Sequence, residues 1–325
     1  MDILCDIAGK ILAANPDPAI RVRLLRDVLH SSPKDWELHQ AKHQLNESGW
    51  VAQLSREQRQ DGSWGRFHSA DSKQKTIIPT TEFGVARALS LGLDHTHPIL
   101  QKAIDYLVCL LEGQIEFPDR AEKNVRWPTG IRLFTAATLA LVQPQNPALN
   151  HSLEIWTAIA EKTFASGKYD PKAEELAHSQ LTGVSVKNSY LALHNKYQLI
   201  LLGSRPELLS PKTEKSLLSW LWSRPSGIGY LGMLLAPLRH SVTSTQIELW
   251  FASLEIVSQF SSWQQHVEKI IRWLWKQADK DGLWDFGPRA SHTAFLPLSE
   301  NWQQKRNRQF DWTTRTLLLM EKYYQ

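Results

Sequence analysis

The stretch Gln58-Arg59-Gln60-Asp61-Gly62-Ser63-Trp64-Gly65 constrains this chain more than any other, because it stops a helical run with Asp-Gly and then recurs. Near the other end, Gln277-Ala278-Asp279-Lys280-Asp281-Gly282-Leu283-Trp284 closes the run Val267 to Lys276 in the same way. Three looser relatives lie between them: Leu111-Glu112-Gly113, Ala165-Ser166-Gly167-Lys168-Tyr169-Asp170, and Trp222-Ser223-Arg224-Pro225-Ser226-Gly227-Ile228-Gly229-Tyr230. The glycines at 62, 113, 167, 227 and 282 are 51, 54, 60 and 55 residues apart. A unit that recurs every 50 to 60 residues or so is the mark of a repeat architecture.

Between the junctions the apolar pattern is helical. Leu100, Ile104, Leu107, Val108 and Leu111 form one stripe, opened by Thr96 and Pro98, as in an amphipathic helix with one buried face. Ile20, Leu24, Leu25 and Val28 keep the same spacing after the start signal Asn15-Pro16-Asp17-Pro18. A short helix is expected over Glu37 to Leu54, and another from Thr80 to Leu89, ended by Gly92. Further helices are expected over 130–142, 151–165, 188–202, 211–222, 243–260, 263–277 and 310–324. No stretch alternates as a strand does. The chain reads as one all-α domain over residues 1–325, with two helices per repeat. Stacked helical hairpins form either an open solenoid or a closed double-layered ring, and periodicity alone leaves that choice open.

Composition removes several function classes. A net charge of +4 on 325 residues, spread along the chain, gives no footprint for a nucleic-acid partner. Cys5 and Cys109 are far apart, which suits buried thiols in a reducing compartment better than a disulfide framework. Met1 to Asp6 has no basic-then-apolar pattern of a secretory signal. No apolar run reaches the ~18 residues that span a bilayer. The expectation is a cytoplasmic protein without a transmembrane segment, with peripheral membrane contact left open. Tryptophan is the unusual residue: there are 14, several of them at the junctions.

The sequence Trp273-Leu274, Gln277, Asp281-Gly282-Leu283-Trp284 resembles the QW repeat of the triterpene cyclases of the squalene-hopene cyclase type, and Gln58 to Gly65 resembles it more closely. In that family, and in the related protein prenyltransferases, such repeats brace an α/α barrel. The helix before each motif is in the outer layer and the helix after it lines a central cavity. The resemblance implies an α/α toroid of about five to six hairpins, with Gln58, Trp64, Gln277 and Trp284 as structural braces. It covers nearly the whole chain in rhythm.

With that layout, the inner helices begin near Thr80, Thr129, Lys187, Thr243 and Phe310, and their N-terminal ends ring one mouth. Unpaired N–H groups there favour an anionic group. The side chains at these ends are Glu82, Arg132, Asn188, Tyr190, Gln246, Asp311 and Arg315. Phe83, Trp127, Phe134, Tyr190, Trp250, Trp302 and Trp312 are the aromatics available to line a cavity, where their π faces would stabilise cations.

The family's Asp-x-Asp-Asp acid is replaced by Ile78-Pro79-Thr80-Thr81. Glu82 and Asp311 are the candidate relocated acids, with helix capping as the alternative for each. No zinc or magnesium motif of the family is present, so no metal or cofactor is expected. His39-x-x-x-His43 reads as a surface helix and His95-Thr96-His97-Pro98 as a helix start. Gly227-Ile228-Gly229-Tyr230-Leu231-Gly232 matches a dinucleotide fingerprint in letters but lacks its βαβ context. Lys305 to Arg308 is either a phosphate contact at the mouth or a solvated loop. Two readings remain: a terpenoid-cyclase-like isomerase or lyase that binds a hydrophobic, isoprenoid-type molecule, with or without an anionic head, using Glu82 or Asp311; and a non-catalytic α/α-toroid binding protein that lost the acids.

Overall fold

The five glycines that mark the repeat all adopt positive φ, from 53° at Gly227 to 90° at Gly62. A side chain is strained in that region of backbone space, which is why glycine recurs where a helix must stop and turn. The computed structural model describes residues 2–187, 189–239, 242–288 and 296–325. Among them the chain is all-helical, with no strand. In order the helices are α1 (Asp2–Ala13), α2 (Pro18–Asp27), α3 (Trp36–Asn46), α4 (Gly49–Glu57), α5 (Thr81–Leu91), α6 (Pro98–Glu112) and α7 (Trp127–Val142). Then come α8 (Asn150–Thr163), α9 (Pro171–Thr182), α10 (Lys196–Ser204), α11 (Pro211–Ser223), α12 (Ser244–Val257), α13 (Gln264–Gln277) and α14 (Lys305–Tyr324). None is long and apolar enough to cross a membrane.

Five elements differ from the sequence reading, three of them for a visible local reason. The run 37–54 is two helices, because Ser48 accepts from the backbone N–H of Val51 and starts α4 afresh. Helix α9 follows the Gly167 junction because Asp170 caps it, accepting from Lys172 and Ala173. Helix α10 begins at Lys196 instead of 188. Two carboxylates on α9 hold the preceding segment: Glu175 accepts from Val186 and Lys187, and Glu174 from Leu193. Helix α14 begins at Lys305, five residues before the expected start, and α1 was not anticipated at all.

The two full junctions fold alike. Trp64 Nε1 donates to Leu54 O at 2.9 Å, and Trp284 Nε1 donates to Leu274 O at 2.6 Å. The backbone N–H of each tryptophan donates to a threonine of the next helix, Thr81 Oγ1 on α5 at 3.0 Å and Thr313 Oγ1 on α14 at 2.9 Å. Both indoles are fully buried. Gln58 Nε2 bonds Gly62 O and reaches Ile99 O at the start of α6. In the second copy the residue in register with Gln58 is Ala278. Gln277 is exposed one position earlier, so it is not the brace its identity suggested.

Packing links distant helices. Helix α2 lies against α5, α5 against α7, α7 against α10 and α10 against α12, while α14 packs on both α1 and α2. Helices α12 and α14 meet through Phe251 and Trp312, whose ring centroids are 5.4 Å apart. The Gly62 junction abuts α6 so closely that an added Cβ would lie 2.1 Å from Lys102 O, and the Gly282 junction abuts Ile7 of α1.

Two predictions follow from this packing. A Cβ on Gly84 of α5 would sit 2.5 Å from the buried Trp64 ring, whereas one on Gly9 of α1 meets nothing within 4 Å. Urea unfolding should therefore find Gly84→Ala destabilised by about 1–3 kcal/mol and Gly9→Ala stabilised by about 0.5–1 kcal/mol. The second concerns His178 on α9, which is fully buried edge-to-face with Trp156 and has neither ring nitrogen bonded among the described residues. Burial pushes its pKa down to about 4. The unfolded chain then binds the extra proton first, so stability is full above the unfolded value near 6.5 and falls as pH drops towards 4. His178→Leu should remove on the order of 3 kcal/mol of that loss, read as a shallower fall of Tm between pH 7 and 4. His194, also pushed down to about 4 by burial and by Arg224, keeps its own share of the fall.

Candidate functional site

Thr80 starts α5 by accepting from the backbone N–H of Phe83, which sets Glu82 in the first turn. Three donors converge on its carboxylate. His68 Nδ1 is 2.8 Å from Oε2, while Tyr197 OH at 2.7 Å and Lys196 Nζ at 3.2 Å share Oε1. Lys196 and Tyr197 are the first two residues of α10, and the Lys196 ammonium also lies 4.4 Å from the centre of the Tyr197 ring. Burial works against the ionised form of Glu82. The charge of Lys196 and the bonds from His68 and Tyr197 outweigh it and hold the pKa down to about 2. Glu82 is therefore an anion at neutral pH. The same surroundings, burial first and the Glu82 charge second, push the Tyr197 phenol well above its usual value.

His68 belongs to the loop between α4 and α5, and that loop is fixed from a third direction. Asp119, nearly buried in the loop before α7, accepts from the backbone N–H groups of Phe67 (2.9 Å), His68 (2.9 Å) and Ser69 (2.7 Å) and from the Ser69 hydroxyl (3.0 Å). The imidazole rests on Phe134 of α7, with ring centroids 4.7 Å apart. Phe134 in turn packs on Tyr197 at 4.1 Å and Tyr190 at 5.7 Å. Gly130 leaves room for Tyr190, since a Cβ there would come within 2.5 Å of the ring. Tyr230 meets Tyr197 edge-on at 6.0 Å, is half-exposed, and has φ of +69°, a rare backbone state for a bulky residue.

Of the residues named from sequence, Glu82, Phe134 and Tyr190 come together here, Tyr190 from the loop before α10 rather than from a helix end. Asn188 lies outside the described residues. Four others have structural partners. Arg132 Nη2 donates to Leu111 O at the end of α6, Gln246 completes the capping box of α12 with Thr243, and Trp312 Nε1 donates to Gly287 O in the core. Arg308, from the basic run, is held by both oxygens of Asp285. Trp127 opens α7 and is nearly buried, and Phe83 packs against the core.

Asp311 is in the second turn of α14, not at its start, so it does not cap that helix. Its carboxylate accepts from the backbone N–H groups of Leu298 and Ser299 and from the Ser299 hydroxyl, anchoring the segment before α14. Arg315 Nη1 is 2.5 Å from Glu248, and its Nε and Nη2 are 2.6 and 3.0 Å from Glu255, both on α12. With Phe251 beneath its guanidinium, it ties α14 to α12. The glycine-rich stretch is a brace as well: Gly229 N donates to His194 O, and a Cβ on Gly229 would lie 1.8 Å from Asn195 Oδ1.

Away from Glu82, the last turns of α2, α5, α7, α10, α12 and α14 share one cavity of about 1180 Å³. Asp311 and Arg315 are on its wall. Leu296 and Leu298 also line it, on a segment fixed by Asp311 and by Arg87 Nη1, which donates to Pro297 O at 2.5 Å. Arg23 and Arg26 of α2 donate to the last carbonyls of α5, at Leu89, Ser90 and Gly92, the cationic partners that a helix C-terminus favours. His30 Nε2 meets Glu321 at 2.7 Å, and Lys322 Nζ bonds Ser258 at 3.2 Å.

Comparison with known protein families, curated proteins and solved structures finds no match for this chain. The role of Arg315 is testable without a known function. Glu248 is fully buried, so Arg315→Met should cost about 3 kcal/mol in urea unfolding by removing a cation bonded to a buried carboxylate. The double variant Arg315→Met/Glu248→Met should recover most of it, and equal losses in the single and double variants would contradict the coupling.

Proposed function

We propose that the helix contacts close into an α/α toroid of about five to six hairpins, of the kind found in triterpene cyclases and protein prenyltransferases. On this reading, the chain binds a hydrophobic, isoprenoid-type small molecule in the cavity at the axis. Support for the ring comes from the paired Trp64 and Trp284 braces and from the run of contacts from α2 through α12, with α14 back on α2. The single observation that carries the ligand is the cavity of about 1180 Å³ into which six helices contribute their last turns. Small-molecule sites typically occupy about 300–1,000 Å³, so there is room for a long apolar molecule. Leu89, Leu93, Val142, Leu298 and Leu318 supply an apolar wall. Arg23, Arg26, His30 and Lys322 also line it, but so do Asp27, Asp94, Glu255, Asp311 and Glu321, and Asp27 and Glu321 pair with three of those cations, so the wall favours a neutral head over an anionic one.

The binding reading goes further than acid-started cyclisation in this cavity. Asp311 is the carboxyl on the wall that sequence had marked as an acid, and it accepts from three donors. Its oxygens hold the Leu298–Ser299 segment in place. Glu82 is not among the residues lining the cavity. This observation favours the toroid that kept its cavity and lost the family's acids.

Titration with geranylgeraniol and with its carboxylic acid, followed by tryptophan quenching, tests the reading, with native mass spectrometry of the purified protein to detect any retained ligand. Saturable binding is expected, with the alcohol bound at least as tightly as the acid. Leu89→Trp, which fills the cavity, should weaken it about tenfold, or by about 1.4 kcal/mol. Absence of saturable binding, or equal affinity in the filled variant, would overturn the proposal.

A further inference from the structure

At the other end of α5, α7 and α10 from the cavity, the cluster around Glu82 has the parts of a working base. Glu82 accepts at Nδ1 of His68, so a neutral imidazole carries its proton there and leaves the Nε2 lone pair available. Among the described residues nothing is bonded to Nε2, and the side chain is 28% exposed. Tyr197 and Lys196 hold the other carboxylate oxygen, and Asp119 holds the backbone on either side of His68. The imidazole is thus fixed in tautomer, in ring plane and in position. A base oriented by a carboxylate, which is oriented in turn by further groups, is the arrangement that general-base catalysis uses.

We infer that His68 and Glu82 form a general-base dyad that activates water against a neutral ester with a flat apolar face. The charge on Glu82 is balanced by Lys196, so the site has no net charge with which to hold an ionic substrate when His68 is neutral. Tyr190 and half-exposed Tyr230, beside Phe134 and Tyr197, offer ring faces for an apolar group. The nearest hydroxyl on the His68 loop, Ser69, donates to Asp119, which leaves water as the nucleophile. His68 Nε2 takes a proton from water, and the oxygen's electron pair attacks the ester carbonyl. The ester C–O bond breaks, and the departing alcohol oxygen receives the proton back from His68. The imidazolium formed between these steps is paired with Glu82. Asp119 acts through the backbone and is a positioning residue.

The inference is independent of the cavity reading, because none of these residues lines the cavity, and its test uses a different probe. Hydrolysis of p-nitrophenyl acetate and p-nitrophenyl butyrate by the full chain is compared with that by His68→Gln, Glu82→Gln and Asp119→Asn. His43→Ala, on the exposed face of α3, is the control. Wild type and the control should turn over both esters alike, and His68→Gln should be slower by about tenfold or more. Glu82→Gln should lower kcat with little change in KM. Histidine nitrogen NMR supplies a readout that stability alone does not move: neutral His68 should carry its proton on Nδ1, and Asp119→Asn should blur that preference while circular dichroism stays native. Hydrolysis by folded His68→Gln at the wild-type rate, or a neutral His68 protonated on Nε2, would overturn the inference.

Discussion

The bond from a buried indole back to the end of its own preceding helix is the contact on which the other features hang. A helix leaves its final carbonyls without partners, and a buried turn after it has no water to supply them. Trp64 takes Leu54 O, Trp284 takes Leu274 O, and the left-handed glycine two residues before each indole lets the chain fold back far enough to do so. The same tryptophans give their backbone N–H to Thr81 and Thr313. Each turn is thereby clamped to the helix that follows. Glu82 is the next residue after Thr81, and Asp311 and Arg315 flank Thr313 on the same α14, so the braces set the positions of these charged side chains without touching them.

Charge is arranged by helix end. Glu82 lies in the first turn of α5, where the helix dipole favours an anion, while Arg23 and Arg26 of α2 reach the last carbonyls of α5. One end of the helices therefore holds an ionised carboxylate beside an imidazole, and the other holds paired charges around a cavity with an apolar wall. The proposed ligand and the proposed base are matched to these two environments and do not compete for residues.

Buried charge elsewhere is spent on fixing helices to one another. Arg315 engages two glutamates of α12, and Asp311 holds Leu298 and Ser299. Both residues sit on the cavity wall and both have ready donors or acceptors. Chemical type alone therefore overstated their case as site residues, and the number of partners already engaged was the deciding quantity.

The recurring junctions, the helical class and the place of Glu82 at a helix start are legible in the sequence alone. Its glycines recur every 50 to 60 residues or so because each junction solves the same local problem, and Glu82 stood out because a carboxylate beside a helix start is a local signal. The partners of Glu82 and Arg315 came only with the packing of distant helices. Lys196 and Tyr197 are 114 and 115 residues from Glu82, and Glu248 is 67 from Arg315, with no spacing to betray them. His68 lies in a polar loop without periodicity, and its backbone is held by Asp119 some 50 residues further on. Local patterns report backbone state, which neighbours in sequence control. Which charges meet depends on how whole helices pack, and that is fixed by the sum of many weak apolar contacts and no single motif.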